Sequence, residues 1–312
     1  LDGKLRRKTC EIPMADLENH FASVFGTTNG HVLDQYPESL PSDDINVSVD
    51  DVKSAIRAIS IDTSPGYDRV VMKTIRDLKV EEILHRVIVI MLATGCVPSG
   101  LGQGKTPLIP KDGDPKDIGN WRPITIYSVL RRIIERVLDK HLRGQVELSA
   151  CQRGFVSGLP GCHLNSRLID ACLQKAKSKK TDCCVVFLDI SKAFDRIGHA
   201  HIEKCLESQG VSYNLRRLVM ALLRNNSIRV DLGTSRSEPI SINRSVPQGG
   251  PLSPILFNLA INYIYEEACD PQFANQYGFK LSDNFDAVSR LGFADDQAIV
   301  STSTDGARRL VE

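Results

Sequence analysis

Apolar residues recur along the chain at two spacings, which separate predicted helices from predicted strands. Helical spacing is clearest at residues 127–143, where an apolar stripe lies opposite a face of Arg and Lys. The same spacing predicts further helices at 13–26, 50–59, 81–94, 164–177, 199–209, 214–224 and 254–267, and the start of another at 304–312. Helices are therefore expected along the whole chain.

Short apolar runs bounded by turn residues predict the strands. They lie at 105–111, 121–126, 183–188, 227–232, 240–244, 289–293 and 297–301. The continuous apolar run 183–188 predicts a strand buried in the middle of a sheet. Hairpins interspersed with helices predict an α/β fold of the α+β kind.

Charge is distributed unevenly along a chain whose formal net charge is only +1. Residues 101–180 hold 15 Lys and Arg against 7 Asp and Glu. This local excess predicts either a solvated face or a surface that binds nucleic acid. Residues 1–8 form a basic arm, and residues 27–48 are rich in turn formers. No apolar run is long enough to predict a membrane span.

The nine cysteines contain no CxxC pair, so a zinc knuckle is not indicated. They are predicted to be reduced thiols, with Cys183 and Cys184 packed in a core. Residues 104–106 (GKT) match the end of a P-loop. However, Ser99 stands where that loop needs glycine, and a strand follows where it needs a helix.

Three aspartates are placed where a carboxylate needs a positive partner. Asp189 follows the strand at 183–188, and Asp295 and Asp296 form the tip of a hairpin between apolar strands. Adjacent carboxylates repel each other, so a divalent cation is their expected partner. Two Mg²⁺ ions roughly 3.5–4 Å apart would support in-line phosphoryl transfer. The three aspartates are therefore the candidate catalytic centre.

Five motifs resemble those of the reverse transcriptases of non-LTR retrotransposons, in particular the R2-like group. They are residues 293–296 (FADD), 188–195 (LDISKAFD), 246–254 (VPQGGPLSP), 121–124 (WRPI) and 152–155 (QRGF). Their order and spacing also match, from about residue 48 to the end. The resemblance implies the fingers and palm of a right-hand polymerase, with an antiparallel palm sheet packed on helices and no thumb. It divides the chain into an N-terminal extension (1–47), fingers with part of the palm (48–180), and a palm that stops before the thumb (181–312).

The resemblance also assigns the metal site. Asp189, Asp295 and Asp296 are the expected catalytic residues and metal ligands. Asp189 and Asp295 would bridge two Mg²⁺ ions, for which Mn²⁺ could substitute, and Asp296 would support the site. The carbonyl of Ile190 would add a ligand, and Asp195 is expected to have a structural role.

Nucleotide binding is expected at Lys111, Arg122, Phe194, Gln248 and Gly249. The Phe194 ring would exclude a 2′-hydroxyl and so select dNTP, although the same ring could simply belong to the core. Arg122 would bind the triphosphate through its guanidinium, whereas Lys111 could equally be a surface lysine. Gln248 and Gly249 would lie close to the incoming nucleotide.

Nucleic acid is expected to contact Gln152, Arg153, Gly154 and Phe155, which would support the template backbone. The function that follows from the resemblance is RNA-directed DNA polymerisation, with an RNA template, a DNA primer and dNTPs as partners. The alternatives are a group II intron-type or domesticated reverse transcriptase, and a non-catalytic RNA-binding fragment. The expected location is the nucleus or cytoplasm, and the oligomeric state stays open.

Overall fold

A computed structural model describes residues 9–26, 45–284 and 286–312. The chain forms two compact units, each made of two segments: Leu1–Val146 with Phe194–Ser253, and Glu147–Ala193 with Pro254–Glu312. The predicted basic arm, and the turn-rich stretch apart from its last four residues, lie outside the described residues. The predicted division into fingers and palm at other boundaries stays a prediction.

The helices and strands of the described residues follow the predicted order closely. The helices are α1 (Met14–Phe25), α2 (Val49–Ala58), α3 (Met72–Leu78), α4 (Glu81–Thr94), α5 (Val129–Arg143), α6 (Gly161–Lys179), α7 (Ala193–Arg196), α8 (His199–Ser208), α9 (Tyr213–Arg224), α10 (Ser253–Ala268), α11 (Pro271–Tyr277) and α12 (Thr304–Val311). The strands are β1 (Gln103–Pro110), β2 (Trp121–Pro123), β3 (Cys184–Leu188), β4 (Ser227–Asp231), β5 (Ile240–Ser241), β6 (Arg290–Phe293) and β7 (Asp296–Ser301). Every predicted helix and strand is present, whereas the short helices α3, α7 and α11 were not predicted.

The first unit contains a four-stranded sheet in the order β2-β1-β4-β5. The pairs β1–β2 and β4–β5 are antiparallel, which confirms both predicted hairpins, and β1 pairs with β4 in parallel. Helix α1 packs on this sheet through Phe21 and Phe25, which share a core with Trp121. Because residues 104–106 lie within β1, the structure confirms that they do not form a P-loop.

The second unit contains a three-stranded antiparallel sheet in the order β3-β7-β6. Helix α6 packs on one face of this sheet, through Cys172 and Ala176. Helix α12 packs on the other face, through Ala307 and Leu310. The structure therefore confirms the predicted antiparallel palm sheet packed on helices.

Two predictions about this unit were wrong. Strand β3 is an edge strand, not a central one, and Phe187 is 74% exposed. The buried central strand is β7, whose residues from Gln297 to Ser301 are all buried. The cysteines are not all reduced, because the fold joins Cys151 and Cys269 in a disulfide across 118 residues of sequence.

Two smaller expectations can also be compared with the structure. Cys183 and Cys184 are partly buried and pack against the hydrophobic clusters on opposite faces of the second unit's sheet, as neighbours on a strand must. Within the described part of the chain, no helix is both long and apolar enough to cross a membrane.

Candidate active site

The β6–β7 hairpin positions two of the three aspartates. Phe293 pairs with Asp296 across the hairpin, so that Ala294 and Asp295 form the turn between them. Ala294 has a positive φ of 57°, in the left-handed region that a non-glycine residue seldom adopts. Asp295 is half-buried, and Asp296 is exposed as the first residue of β7.

The third aspartate lies beside this turn because β3 pairs with β7. Their antiparallel register places Leu188 opposite Gln297. Asp189 is the residue after Leu188 and Asp296 the residue before Gln297, so the same register carries these two aspartates to one end of the sheet. Asp189 is exposed. The structure thus brings all three predicted catalytic carboxylates to the same end of the second unit's sheet.

The carboxylate oxygens at this end of the sheet suit hard divalent cations. Magnesium prefers carboxylate oxygens, keeps several waters and is commonly completed by substrate phosphates, so it needs an open site. Exposed carboxylates on the ends of adjacent strands fit that requirement. Among the described residues, no three or more His, Cys, Asp and Glu side chains are close enough together to hold a metal ion by themselves. The carbonyl of Ile190, a predicted ligand, accepts a hydrogen bond from the Ala193 N–H at 3.1 Å.

Residues 152–155 lie directly against the catalytic turn. Gln152 is 2% exposed and is bridged in parallel to Gly292 of β6. Its side-chain amide donates to the carbonyl oxygen of Ala294 at 3.1 Å, and its side-chain oxygen accepts from the Ala294 N–H at 2.9 Å. The structure therefore places this predicted template contact under the hairpin. Its role in binding nucleic acid stays a prediction.

The neighbours of Gln152 differ in exposure. Arg153 is half-buried and donates to Asn165 Oδ1 at 2.8 Å, and its burial lowers the pKa of the guanidinium. Phe155 is 43% exposed, and its ring centroid lies 6.5 Å from that of Phe293. Of the four predicted nucleic-acid contacts, Phe155 therefore offers the most open side chain.

Several residues that support this site were missed by the sequence analysis. Asn165 donates to the Gly292 carbonyl at 3.0 Å, and Asn258 donates to the Gly154 carbonyl at 2.7 Å. The hydroxyl of Tyr265 lies 3.5 Å from the Ala294 carbonyl, and burial raises its pKa well above the usual range. The signal that could have found Asn258 is its place, with Asn262 four residues later, in an otherwise apolar helix.

In the first unit, the structure brings the predicted nucleotide-binding residues Phe194 and Gln248 together. The Val246 N–H donates to the Phe194 carbonyl at 3.2 Å. The side-chain nitrogen of Gln248 lies 3.3 Å from Asp195 Oδ1. The backbone carbonyl of Gln248 accepts from the Thr125 N–H at 2.9 Å.

Glycine is required at position 249 for two reasons. Its φ is +108°, which side chains other than hydrogen rarely allow. A Cβ would also lie 2.9 Å from the carbonyl oxygen of Thr125. The structure thus explains this glycine within the first unit, and its predicted approach to the nucleotide stays a prediction.

The remaining predicted nucleotide contacts lie on the β1–β2 hairpin. Arg122 is exposed on β2 and pairs with Ile109 across the hairpin. Lys111 follows β1, and its ammonium group donates to the Gly119 carbonyl at 3.2 Å. Arg122 is thus open to solvent, whereas Lys111 is engaged with the hairpin's own loop.

Comparison with known proteins defines the class. A family model described as "Reverse transcriptase (RNA-dependent DNA polymerase)" matches residues 109–312, which contain all the predicted site residues. The chain belongs to this family, whose members generally use divalent metal ions. Among the proteins that it resembles are Pol polyproteins of R2 retrotransposable elements, the group that its motifs resemble.

The similar proteins are much longer than this chain. The Pol polyprotein of a type-1 retrotransposable element R2 from Popillia japonica is 33% identical over 235 residues, which cover 75% of this chain and 32% of that protein. The Pol polyprotein of the type-2 element R2DM from Drosophila melanogaster is 28% identical, over 81% of this chain and 23% of that protein. A telomerase structure from Candida albicans overlaps with a TM-score of 0.47 and 13% identity, over 72% of this chain and 42% of that one.

Proposed function

We propose that this chain carries the nucleotidyl-transfer centre of an RNA-directed DNA polymerase. The observation that supports this most directly is the register of β3 and β7, which carries Asp189 to the strand end where Asp295 and Asp296 lie. The proposed substrates are an RNA template, a DNA primer and dNTPs. The proposed cofactor is a pair of Mg²⁺ ions.

In this proposal the chain's residues have separate tasks. Asp189 and Asp295 would hold the ions, and Asp296 would support them. When bound, the ions would activate the primer 3′-hydroxyl and stabilise the leaving pyrophosphate. Arg122 would bind the triphosphate through two parallel hydrogen bonds, and Phe194 would exclude a 2′-hydroxyl. The proposed location is the nucleus if the enzyme acts at a chromosomal target.

Primer extension on an RNA template tests the catalytic assignment. The chain is given a DNA primer and Mg²⁺, with either dNTPs or NTPs, beside the variants Asp295→Ala and Asp170→Ala. Loss of several kcal/mol of transition-state stabilisation should reduce extension by Asp295→Ala by about 10³-fold or more. Asp170 is an exposed aspartate on α6 in the same unit, so Asp170→Ala is the matched control.

The possible results separate the proposal from its alternatives. Extension with dNTPs only, abolished by Asp295→Ala and retained by Asp170→Ala, supports it. Undiminished extension by Asp295→Ala contradicts it. If the chain binds primer–template with a steep dependence on salt but never extends the primer, the non-catalytic RNA-binding alternative gains.

A further inference from the structure

The side chain of Gln152 is fully engaged with the turn that carries the catalytic aspartates. Its oxygen accepts from the N–H groups of Gly154 and Ala294, at 2.8 and 2.9 Å. Its amide nitrogen donates to the Ala294 carbonyl at 3.1 Å. One buried side chain therefore bonds to both polar backbone groups of the first residue of the turn.

Those bonds lie where the turn most needs support. Ala294 is 3% exposed and has a φ of 57°, so its peptide groups are in an unfavourable conformation away from water. Buried backbone groups without partners are strongly destabilising, and a non-glycine residue keeps a left-handed conformation only when its surroundings impose it. Gln152 supplies that constraint from outside the hairpin.

Gly154 contributes by steric fit. A Cβ on residue 154 would lie 2.2 Å from the Ala294 nitrogen and 2.8 Å from the Phe293 carbonyl carbon. Only glycine allows the 152–154 segment to approach the turn this closely. Asn258 of α10 then holds the segment in place through the Gly154 carbonyl, at 2.7 Å.

We infer that Gln152 is a positioning residue for the polymerase centre: with Gly154, it fixes the Ala294–Asp295 turn so that Asp295 and Asp296 are held ready for divalent cations. This inference rests on the proposed function for its consequence, but its structural part can be tested separately. It differs from the template contact predicted from the sequence. A buried residue bonded to the turn should affect metal binding before it affects nucleic-acid affinity.

The variants disturb the turn in two different ways, by loss of hydrogen bonds or by a steric clash. Gln152→Leu removes all three hydrogen bonds at similar size, and Gly154→Ala pushes on Ala294 without removing them. Gln152→Glu keeps the oxygen that accepts both N–H groups and should retain part of the function. The controls are Gln174→Leu, on the exposed face of α6, and Gly100→Ala, where a Cβ would meet nothing within 4 Å.

Three measurements are made on each chain. Mn²⁺ affinity is measured from the electron paramagnetic resonance signal of the free ion, with Asp295→Ala defining the signal without this site. Hydrogen exchange of the peptide spanning residues 290–301 is followed by mass spectrometry. Primer–template affinity and primer extension are measured last.

For Gln152→Leu and Gly154→Ala we expect Mn²⁺ affinity to fall by about 10-fold, as when other residues that orient metal ligands are removed. Exchange of residues 290–301 should become faster, whereas primer–template affinity should stay within about twofold and the controls should match the unsubstituted chain.

Unchanged Mn²⁺ affinity together with unchanged exchange would overturn the inference. A selective loss of primer–template affinity would instead make Gln152 a template contact. If Asp295→Ala still extended primers, the proposed function would fail, while faster exchange in the Gln152 variant would still establish its hold on the turn.

Discussion

At the scale of single residues, two hydrogen bonds connect the two motifs that are predicted to bind the incoming nucleotide. The Val246 N–H donates to the Phe194 carbonyl, and Gln248 donates to Asp195. These bonds join a segment near residue 194 to one near residue 247 within the first unit. The structural role expected of Asp195 stays a prediction.

The Phe194 ring is expected to select the sugar of the incoming nucleotide. In Phe194→Ala, the space vacated by the ring should accommodate a 2′-hydroxyl, so that use of NTPs relative to dNTPs rises by about 10- to 100-fold. The ratio is measured by primer extension with each nucleotide type. Phe194→Tyr keeps the ring and should keep the selectivity. An unchanged ratio in Phe194→Ala would mean that the ring is only part of the core.

Residues that form motifs could be recognised in the sequence, whereas the contacts that hold the motifs in place could not. Asp189, Asp295 and Asp296 could be predicted because carboxylates beside apolar strands require a compensating charge. The partners of Asn258 and Tyr265 could not be predicted, because they lie 104 and 29 residues away along the chain. Whether such a side chain faces solvent or a distant backbone group depends on tertiary packing, which local spacing does not encode.

At the scale of elements, helix α2 is fixed at its N-terminus and to its neighbour by one carboxylate. Ser48 and Asp51 form a capping box, in which Asp51 Oδ2 accepts from the Ser48 N–H at 2.8 Å. The other oxygen, Oδ1, accepts from Lys140 on α5, and His141 Nε2 lies 3.3 Å from Oδ2. Burial alone would raise the pKa of Asp51, but the bonds from Lys140 and Ser48 outweigh it and hold the pKa well below its usual range.

This geometry predicts that Asp51→Asn destabilises the chain in a pH-dependent way. A carboxyl whose pKa is lower in the folded state adds stability above its unfolded pKa, about 3.9, and loses that stability as pH falls toward the folded value. We expect a loss of about 1–2 kcal/mol at pH 7, limited because Lys140 is largely exposed. The difference from the unsubstituted chain should shrink below about pH 4.

Urea unfolding at several pH values measures that difference. Asp50→Asn is the matched control, because the Asp50 side chain is 87% exposed and forms a surface ion pair with Lys53 on α2. Its free energy of unfolding should change by less than about 0.5 kcal/mol. A loss for Asp51→Asn that was equally large at pH 3 and pH 7 would show that charge is not its source.

The elements also show where an apolar pattern misleads. A continuous apolar run such as 183–188 is typical of a central strand, yet β3 lies at the edge of its sheet and exposes Phe187. The central strand β7 reads as less apolar because it includes Gln297 and Ser301, both buried and hydrogen-bonded. A hydropathy pattern identifies buried apolar residues, but it does not identify polar residues that are buried together with hydrogen-bond partners.

At the scale of the whole molecule, the first unit is held together by a buried arginine. Arg131 on α5 is 1% exposed and donates to Glu135 at 2.6 Å. It also donates to the carbonyls of Leu101 and Leu222, at 3.0 and 3.1 Å, and to the side chain of Asn226. One guanidinium therefore connects α5 to segments that lie between 30 and 95 residues away along the chain. The helical spacing of residues 127–143 had instead predicted a place for Arg131 on the polar face of the helix.

Arg131→Met should consequently be among the most destabilising substitutions in the first unit, by about 3–5 kcal/mol, because it leaves Glu135 buried without its partner. Adding Glu135→Leu removes that unpaired charge, so the double variant should recover about 1–3 kcal/mol of the loss. Urea unfolding measures each free energy. Arg143→Met is the control on the same helix: Arg143 pairs with Asp139 at 2.9 Å in a partly exposed site, where the loss should stay below about 1 kcal/mol. If Arg131→Met and Arg143→Met were equally stable, the buried network would not be what holds these distant segments together.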